Sequence, residues 1–201
     1  MEYLEAGNLA TYLHGTPPLS ETDAKEVSYQ ILDGLCMMHE NGFAHRDLKP
    51  HNILIKSHPP NGEWWMKLAD FGITKRIEEG LGQYSTAKGT RRYIAPEVWG
   101  FVEQGSPYAA DIRALGETVF EILAKKPSFR PRSLALHKSE QDFPATELHN
   151  TGVSQLGVGF VKSLMQPYPN DRSTAKAALA DPWIATVPIE PIQKLQIAQN
   201  T

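Results

Sequence analysis

His45-Arg46-Asp47-Leu48-Lys49-Pro50-His51-Asn52 runs directly into Ile53-Leu54-Ile55. After the turn-rich Ser57-His58-Pro59-Pro60-Asn61-Gly62, a second short apolar run, Met66-Lys67-Leu68, leads to Asp70-Phe71-Gly72. Both apolar runs are β-like and the residues between them are turn formers, so the spacing predicts a hairpin with a longish connection. An antiparallel pair brings the residue before its first strand beside the residue after its second. Asn52 and Asp70 are therefore expected to be neighbours. An amide oxygen beside a carboxylate suits a hard cation such as Mg²⁺, which keeps waters and takes further ligands from substrate phosphates. Asp47 and Lys49 lie on the loop entering the hairpin, where they offer a carboxylate to orient a hydroxyl and an ammonium to meet developing phosphate charge. The constellation points to phosphoryl transfer.

Helical patterns flank this centre. Val27, Ile31, Leu35 and Met38 follow a helical period, with Ser20 and Thr22 as candidate caps and Asn41-Gly42 as a stop. The stretch from Asp70 to Glu97 has no sustained period and is expected to be a long surface loop. Beyond it, Ile112, Leu115, Val119 and Ile122 mark one helix, and Val153, Leu156, Phe160 and Leu164 a second. Ser173 to Leu179 forms a short third before Asp181-Pro182. Val187 to Thr201 is patternless and is expected to be a loosely held tail. The 201 residues are 41% apolar, enough for one globular unit with a real core. Twenty basic against 23 acidic residues give a net charge of -3, with no block of like charge to favour nucleic acid or an anionic membrane. The single cysteine, Cys36, cannot form an internal disulfide and is expected to be a buried structural thiol. No run reaches transmembrane length and the first residues lack a signal-peptide pattern, so an intracellular protein, cytoplasmic or nuclear, is expected.

The loop from His45 to Asn52 resembles the catalytic loop of eukaryotic-type protein kinases, Asp70-Phe71-Gly72 resembles their magnesium motif, and Ala95-Pro96-Glu97 supplies a third signature. The resemblance implies that Asp47 is the catalytic base and Lys49 the contact to the transferred phosphate. It implies that Asn52 and Asp70 are the metal ligands, with ATP and Mg²⁺ as cofactors and a protein as substrate. Its remaining ATP contacts fall on Glu2, Leu4 and Leu54. Lys49 and Gly89-Thr90 are similar to the serine/threonine-directed branch, and the closing stretch from Asp171 to Ile184 to the calcium/calmodulin-dependent kinase group. The implied fold is mainly α with a small β-hairpin: a kinase C-terminal lobe with its N-terminal lobe missing. In it residues 1–184 form a partial kinase domain, hinge plus lobe, and 185–201 the tail.

Taken singly, Asp47 reads as a turn residue and Asp70 as a strand end; three motifs in the family's order, with Arg172 far downstream, outweigh that reading. His45 is expected to be structural, and Glu97 with Arg172 a buried ion pair. Trp64, Trp65 and Trp99 have no positional match that implies a function. A Gly-rich phosphate loop, a Val-Ala-Ile-Lys lysine and its partner glutamate are missing from the sequence. Met1-Glu2-Tyr3-Leu4 resembles the hinge between lobes. The expectation is a truncated product of low activity, with Met1, Leu4, Leu54 and Phe71 uncovered; the alternative is a non-catalytic kinase-like binding module. A small-molecule phosphotransferase is disfavoured by Gly89-Thr90, Ala95-Pro96-Glu97 and Arg172. The resemblance also implies an upstream activating kinase acting on Thr86, or else Ser85, with Arg46 and Lys75 receiving the phosphate.

Overall fold

The computed structural model describes residues 6–70, 75–76, 91–103, 105–129 and 139–186. Helix α1 (Leu9–Gly15) is capped by Asn8, whose side chain accepts from the Thr11 backbone N–H. Helix α2 (Glu21–Glu40) starts at Ser20, whose hydroxyl accepts from the Asp23 N–H at 3.1 Å, and it buries Val27, Ile31 and Leu35 on one face. Asn41 closes it and Gly42, at φ 82°, turns the chain away.

Strand β1 (Phe43–Ala44) precedes a single 3-10 turn, Pro50–Asn52, and the hairpin of β2 (Ile53–Ser57) and β3 (Trp65–Leu68). The hairpin register pairs Ile53 with Leu68 and Ile55 with Met66. Strand β4 (Lys75–Arg76) pairs antiparallel with β1. Among the described residues the sheet content is therefore two two-stranded ribbons, where the sequence suggested one hairpin. Two-residue strands with partners so distant in sequence carry no period to detect.

Helix α3 (Pro107–Ala124) begins with Ser106 as cap and Pro107 in its first turn, where the missing N–H costs nothing. It is buried along most of its length, which makes it the centre of the core. Helix α4 (Ala145–His149) leads to α5 (Gln155–Leu164), capped by Ser154, and α6 (Ala175–Leu179), capped by Thr174. Gly116 of α3 lies so close to α5 that a Cβ there would sit 2.5 Å from the Met165 side chain. Trp183 stacks on Phe160 with ring centroids 4.7 Å apart and donates its indole N–H to Glu21 at 2.5 Å, tying the end of the described chain to the start of α2.

Leu156 departs from its expected place in the core, since it is 55% exposed and the buried stripe of α5 runs through Gly157, Val158, Phe160, Val161 and Leu164. Four-residue steps drift about 40° each around a helix, so Leu156 falls off that stripe. Val153 is buried but precedes the helix. Cys36 is only half-buried at the margin of the core. Among the described residues, no helix is long and apolar enough to cross a membrane.

Candidate active site

Asp111, in the first turns of α3 and 1% exposed, reaches back to the loop after β1. One carboxylate oxygen accepts from the His45 N–H and the other from the Arg46 N–H, both at 2.8 Å. Arg46 has φ 64°, a left-handed conformation that costs a side-chain-bearing residue energy. The two charge-assisted bonds from Asp111 hold it there. His39, at the end of α2, adds a third contact to the same carboxylate at 3.0 Å. His45 is fully buried and its Nε2 lies 3.1 Å from the Ala69 carbonyl, a packing and positioning role that matches its expected structural character.

The strained residue delivers Asp47. Lys49 Nζ donates to Asp47 Oδ2 at 2.6 Å, and the Asn52 amide nitrogen donates to Asp47 Oδ2 at 3.1 Å and to the Asp47 carbonyl at 2.8 Å. Asp47 Oδ1 is buried without an internal hydrogen-bond partner. Such an atom is costly unless a ligand supplies the donor. With its nitrogen committed to Asp47, Asn52 keeps its amide oxygen available as an acceptor.

The hairpin brings the far end of this site close, with a shift of one residue. Ala69, not Asp70, lies directly across from Asn52, donating its N–H to the Asn52 carbonyl at 2.9 Å. Asp70 follows in an exposed, left-handed conformation at φ 63°, which aspartate tolerates better than most residues. Leu54 is half-buried on β2. Glu2, Leu4, Phe71, Gly72, Ser85, Thr86 and Gly89-Thr90 lie outside the described residues, as does the side chain of Lys75.

A second anchor fixes the segment after the long loop. Arg172 makes two parallel bonds to Glu97, at 2.6 and 2.7 Å, in a pair whose side chains are 0% and 4% exposed. Its remaining N–H groups reach the carbonyls of Gln166, Ala109 and Pro167. Asp111, at the start of α3, also fits the family resemblance carried by the sequence; its two bonds to the distant loop at His45 and Arg46 are what the fold adds.

This arrangement agrees with what the chain is similar to. The protein kinase domain family matches residues 1–184. The chain is 32% identical over 195 residues to the serine/threonine-protein kinase cds1 of Schizosaccharomyces pombe, covering 93% of this chain and 41% of that protein. It is 32% identical over 192 residues to the calcium/calmodulin-dependent protein kinase type 1 of Caenorhabditis elegans, covering 92% of this chain and 52% of that protein. The chain thus spans about half the length, or less, of these relatives. A crystal structure of the Rad53 kinase domain and SCD2 in complex with AMPPNP superposes with a TM-score of 0.75 at 30% identity, covering 92% of this chain and 67% of that one. The chain belongs to the protein kinase domain family, in its eukaryotic-type serine/threonine branch and close to the calcium/calmodulin-dependent kinase group.

Proposed function

We propose that residues 1–184 carry the phosphoryl-transfer machinery of a protein serine/threonine kinase, moving the terminal phosphate of ATP to a Ser or Thr hydroxyl of a protein. The observation that carries this reading is the state of Asp47. One of its oxygens is held by Lys49 and Asn52, while the other is buried with no internal partner. A substrate hydroxyl is the donor that such an oxygen lacks, and a carboxylate so placed orients the hydroxyl and accepts its proton. Lys49, 2.6 Å from the same carboxylate, brings positive charge to where the transferred phosphate would lie.

The donor set also fits Mg²⁺. Asn52 Oδ1 and the Asp70 carboxylate are hard oxygen ligands, and the described residues contain no cluster of three or more His, Cys, Asp or Glu able to enclose a metal by themselves. A two-ligand site completed by water and phosphate oxygens is the usual way Mg²⁺ is held. Bound there, it would neutralise phosphate charge. Leu54, Glu2 and Leu4 are assigned to the ATP side of the site, and Thr86 to activation by an upstream kinase, on the family resemblance alone.

The sequence holds no Gly-rich phosphate loop and no Val-Ala-Ile-Lys lysine. The 201-residue polypeptide by itself is therefore proposed to transfer phosphate slowly. Losing such positioning costs up to ~7–11 kcal/mol of barrier lowering. The test is transfer of label from γ-labelled ATP to a protein substrate with Mg²⁺, for the wild type and Asp47→Asn, beside equilibrium ATP binding. Slow transfer that Asp47→Asn abolishes while the fold is kept supports the reading. Transfer unaffected by Asp47→Asn overturns it, and ATP binding with no transfer at all favours the non-catalytic module.

A further inference from the structure

Among the described residues, three other than glycine have positive φ: Arg46, Asp70 and Lys125. The first two stand at the candidate active site. Lys125, at φ 58° and ψ 19°, closes α3, its backbone N–H donating to the Glu121 carbonyl at 2.9 Å. Glycine is the usual residue at such a helix end, because a Cβ makes the left-handed turn costly. A side-chain-bearing residue keeps this conformation where its surroundings hold it, and such outliers gather at places that function needs fixed.

What holds Lys125 is its own side chain. Half-buried, it reaches from the end of α3 to the end of α1, where Nζ donates to the Leu13 carbonyl and, at 3.4 Å, to the Thr16 hydroxyl. That hydroxyl donates in turn to the Tyr12 carbonyl at 2.9 Å. The last carbonyls of a helix have no partner within it, and a cation beside them also meets the negative end of the helix dipole. At seven residues α1 is too short to stand alone, so it depends on whatever fixes its two ends. Its start is tied to the hairpin: Asn8 forms a β-bridge with Leu54, and the Gly7 carbonyl accepts from the Ile55 N–H at 3.0 Å. Along its length α1 packs against β2 and against the Pro50–Asn52 turn. One ammonium from α3 thus secures the far end of a helix whose near end meets Leu54.

We propose that Lys125 is a positioning residue for phosphoryl transfer. Its ammonium holds α1 against β2 and the Pro50–Asn52 turn, and so sets Leu54 and Asn52 for the nucleotide, resting on the assignment of those two residues to the ATP and Mg²⁺ side of the site. Local opening of a short helix takes less free energy than unfolding of the chain, so loss of the ammonium acts on this corner first.

Lys125→Gly removes the ammonium and the backbone strain together and therefore keeps the fold, whereas Lys125→Arg leaves a cation within reach of the same carbonyls. Amide hydrogen exchange on the 201-residue chain reads the corner directly at the Tyr12 N–H, bonded to the Asn8 carbonyl, and at the Ile55 N–H. The Val158 and Ala178 N–H groups, bonded within α5 and α6, serve as references. In Lys125→Gly, exchange at Tyr12 and Ile55 should rise about tenfold while the references hold, and Lys125→Arg should restore protection. In transfer from ATP, Lys125→Gly should raise the KM for ATP about tenfold, with kcat and the KM for the protein substrate little changed. Unchanged exchange at Tyr12 and Ile55 overturns the proposal, as does an equal rise at all four amides, which would make Lys125 a general stabiliser. An unchanged KM for ATP also overturns it. A wild-type chain that transfers nothing counts against the proposed reaction alone, and the exchange comparison still decides whether Lys125 positions this corner.

Discussion

Two buried Arg–Glu pairs sit among the described residues, and they are built differently. Glu97 and Arg172 come from distant parts of the chain and meet through two short parallel bonds, with the other arginine N–H groups shared among three backbone carbonyls. Arg113 and Glu117 are four residues apart on α3, at a longer 3.6 Å, and are 2% and 1% exposed. Arg113 Nε is buried with no hydrogen-bond partner. Glu117 spends its better bonds on Ser128, accepting from its N–H at 2.9 Å and from its hydroxyl. The guanidinium otherwise faces the Phe129 ring, 5.6 Å away. Burial takes both pairs out of water at a cost of several kcal/mol per ion, and only close geometry with further hydrogen bonds repays it. The first pair meets that condition and the second does not.

The largest expected effect is therefore at Arg172. Arg172→Ala leaves Glu97 buried without a counter-charge and strips donors from the carbonyls of Gln166, Ala109 and Pro167. It should destabilise the chain by ~3–5 kcal/mol in denaturant unfolding. A loss below about 1 kcal/mol, the ordinary worth of an exposed ion pair, would break the comparison from this side. The complementary change replaces the second pair whole. Arg113→Met with Glu117→Leu removes two poorly compensated charges and fills the space with apolar atoms. It should leave stability unchanged or raise it by up to ~4 kcal/mol. The Ser128 groups it releases are half-buried and can turn to water. A clear loss in the double variant would show that the helix pair is stronger than its geometry.

The first pair could be foreseen in the sequence and the second could not. Glu97 and Arg172 belong to motifs whose order and spacing carried the family resemblance. Arg113 and Glu117 sit inside a helix whose Ile112, Leu115, Val119 and Ile122 pattern was recognised, but the three-dimensional surroundings that bury every side of that helix are not written in a local period. The same contrast runs through the fold. α2, α3 and the β2–β3 hairpin were legible because their periods and stop signals are local. The short α1 and α4 and the β1–β4 ribbon depend on tertiary contacts and were missed. Within the site, Asp47, Lys49 and Asn52 come together on one loop as expected. The hairpin argument erred by one residue, since Ala69 faces Asn52, because the exact end of a short strand is the least determined part of a sequence reading. The clamp from Asp111 joins residues of two distant segments, which spacing alone does not bring together.

The smallest expected effect, and the sharpest test of the contrast, lies in the pH dependence of the second pair. Burial is the largest influence on both of its members. It pushes the Glu117 carboxyl above its ordinary 4.5 despite Arg113 and Ser128, and pushes Arg113 down to about 10 despite Glu117. Each displacement disfavours the charged form, so desolvation outweighs the attraction between the two. The folded chain then holds the Glu117 proton more tightly than the unfolded chain does. The stability this provides is present at low pH and is lost as pH rises through the unfolded carboxyl's range to the higher folded value. Arg113 adds no slope in that range, because it is charged in both states until pH nears 10. Glu117→Gln keeps a side-chain oxygen for the Ser128 N–H but cannot ionise. The stability of the wild type relative to Glu117→Gln should therefore fall as pH is raised from below 4.5 toward neutrality, measured by urea unfolding across that range. A difference that grows with pH would mean that Arg113 wins over burial, and the two Arg–Glu pairs would then be alike in kind.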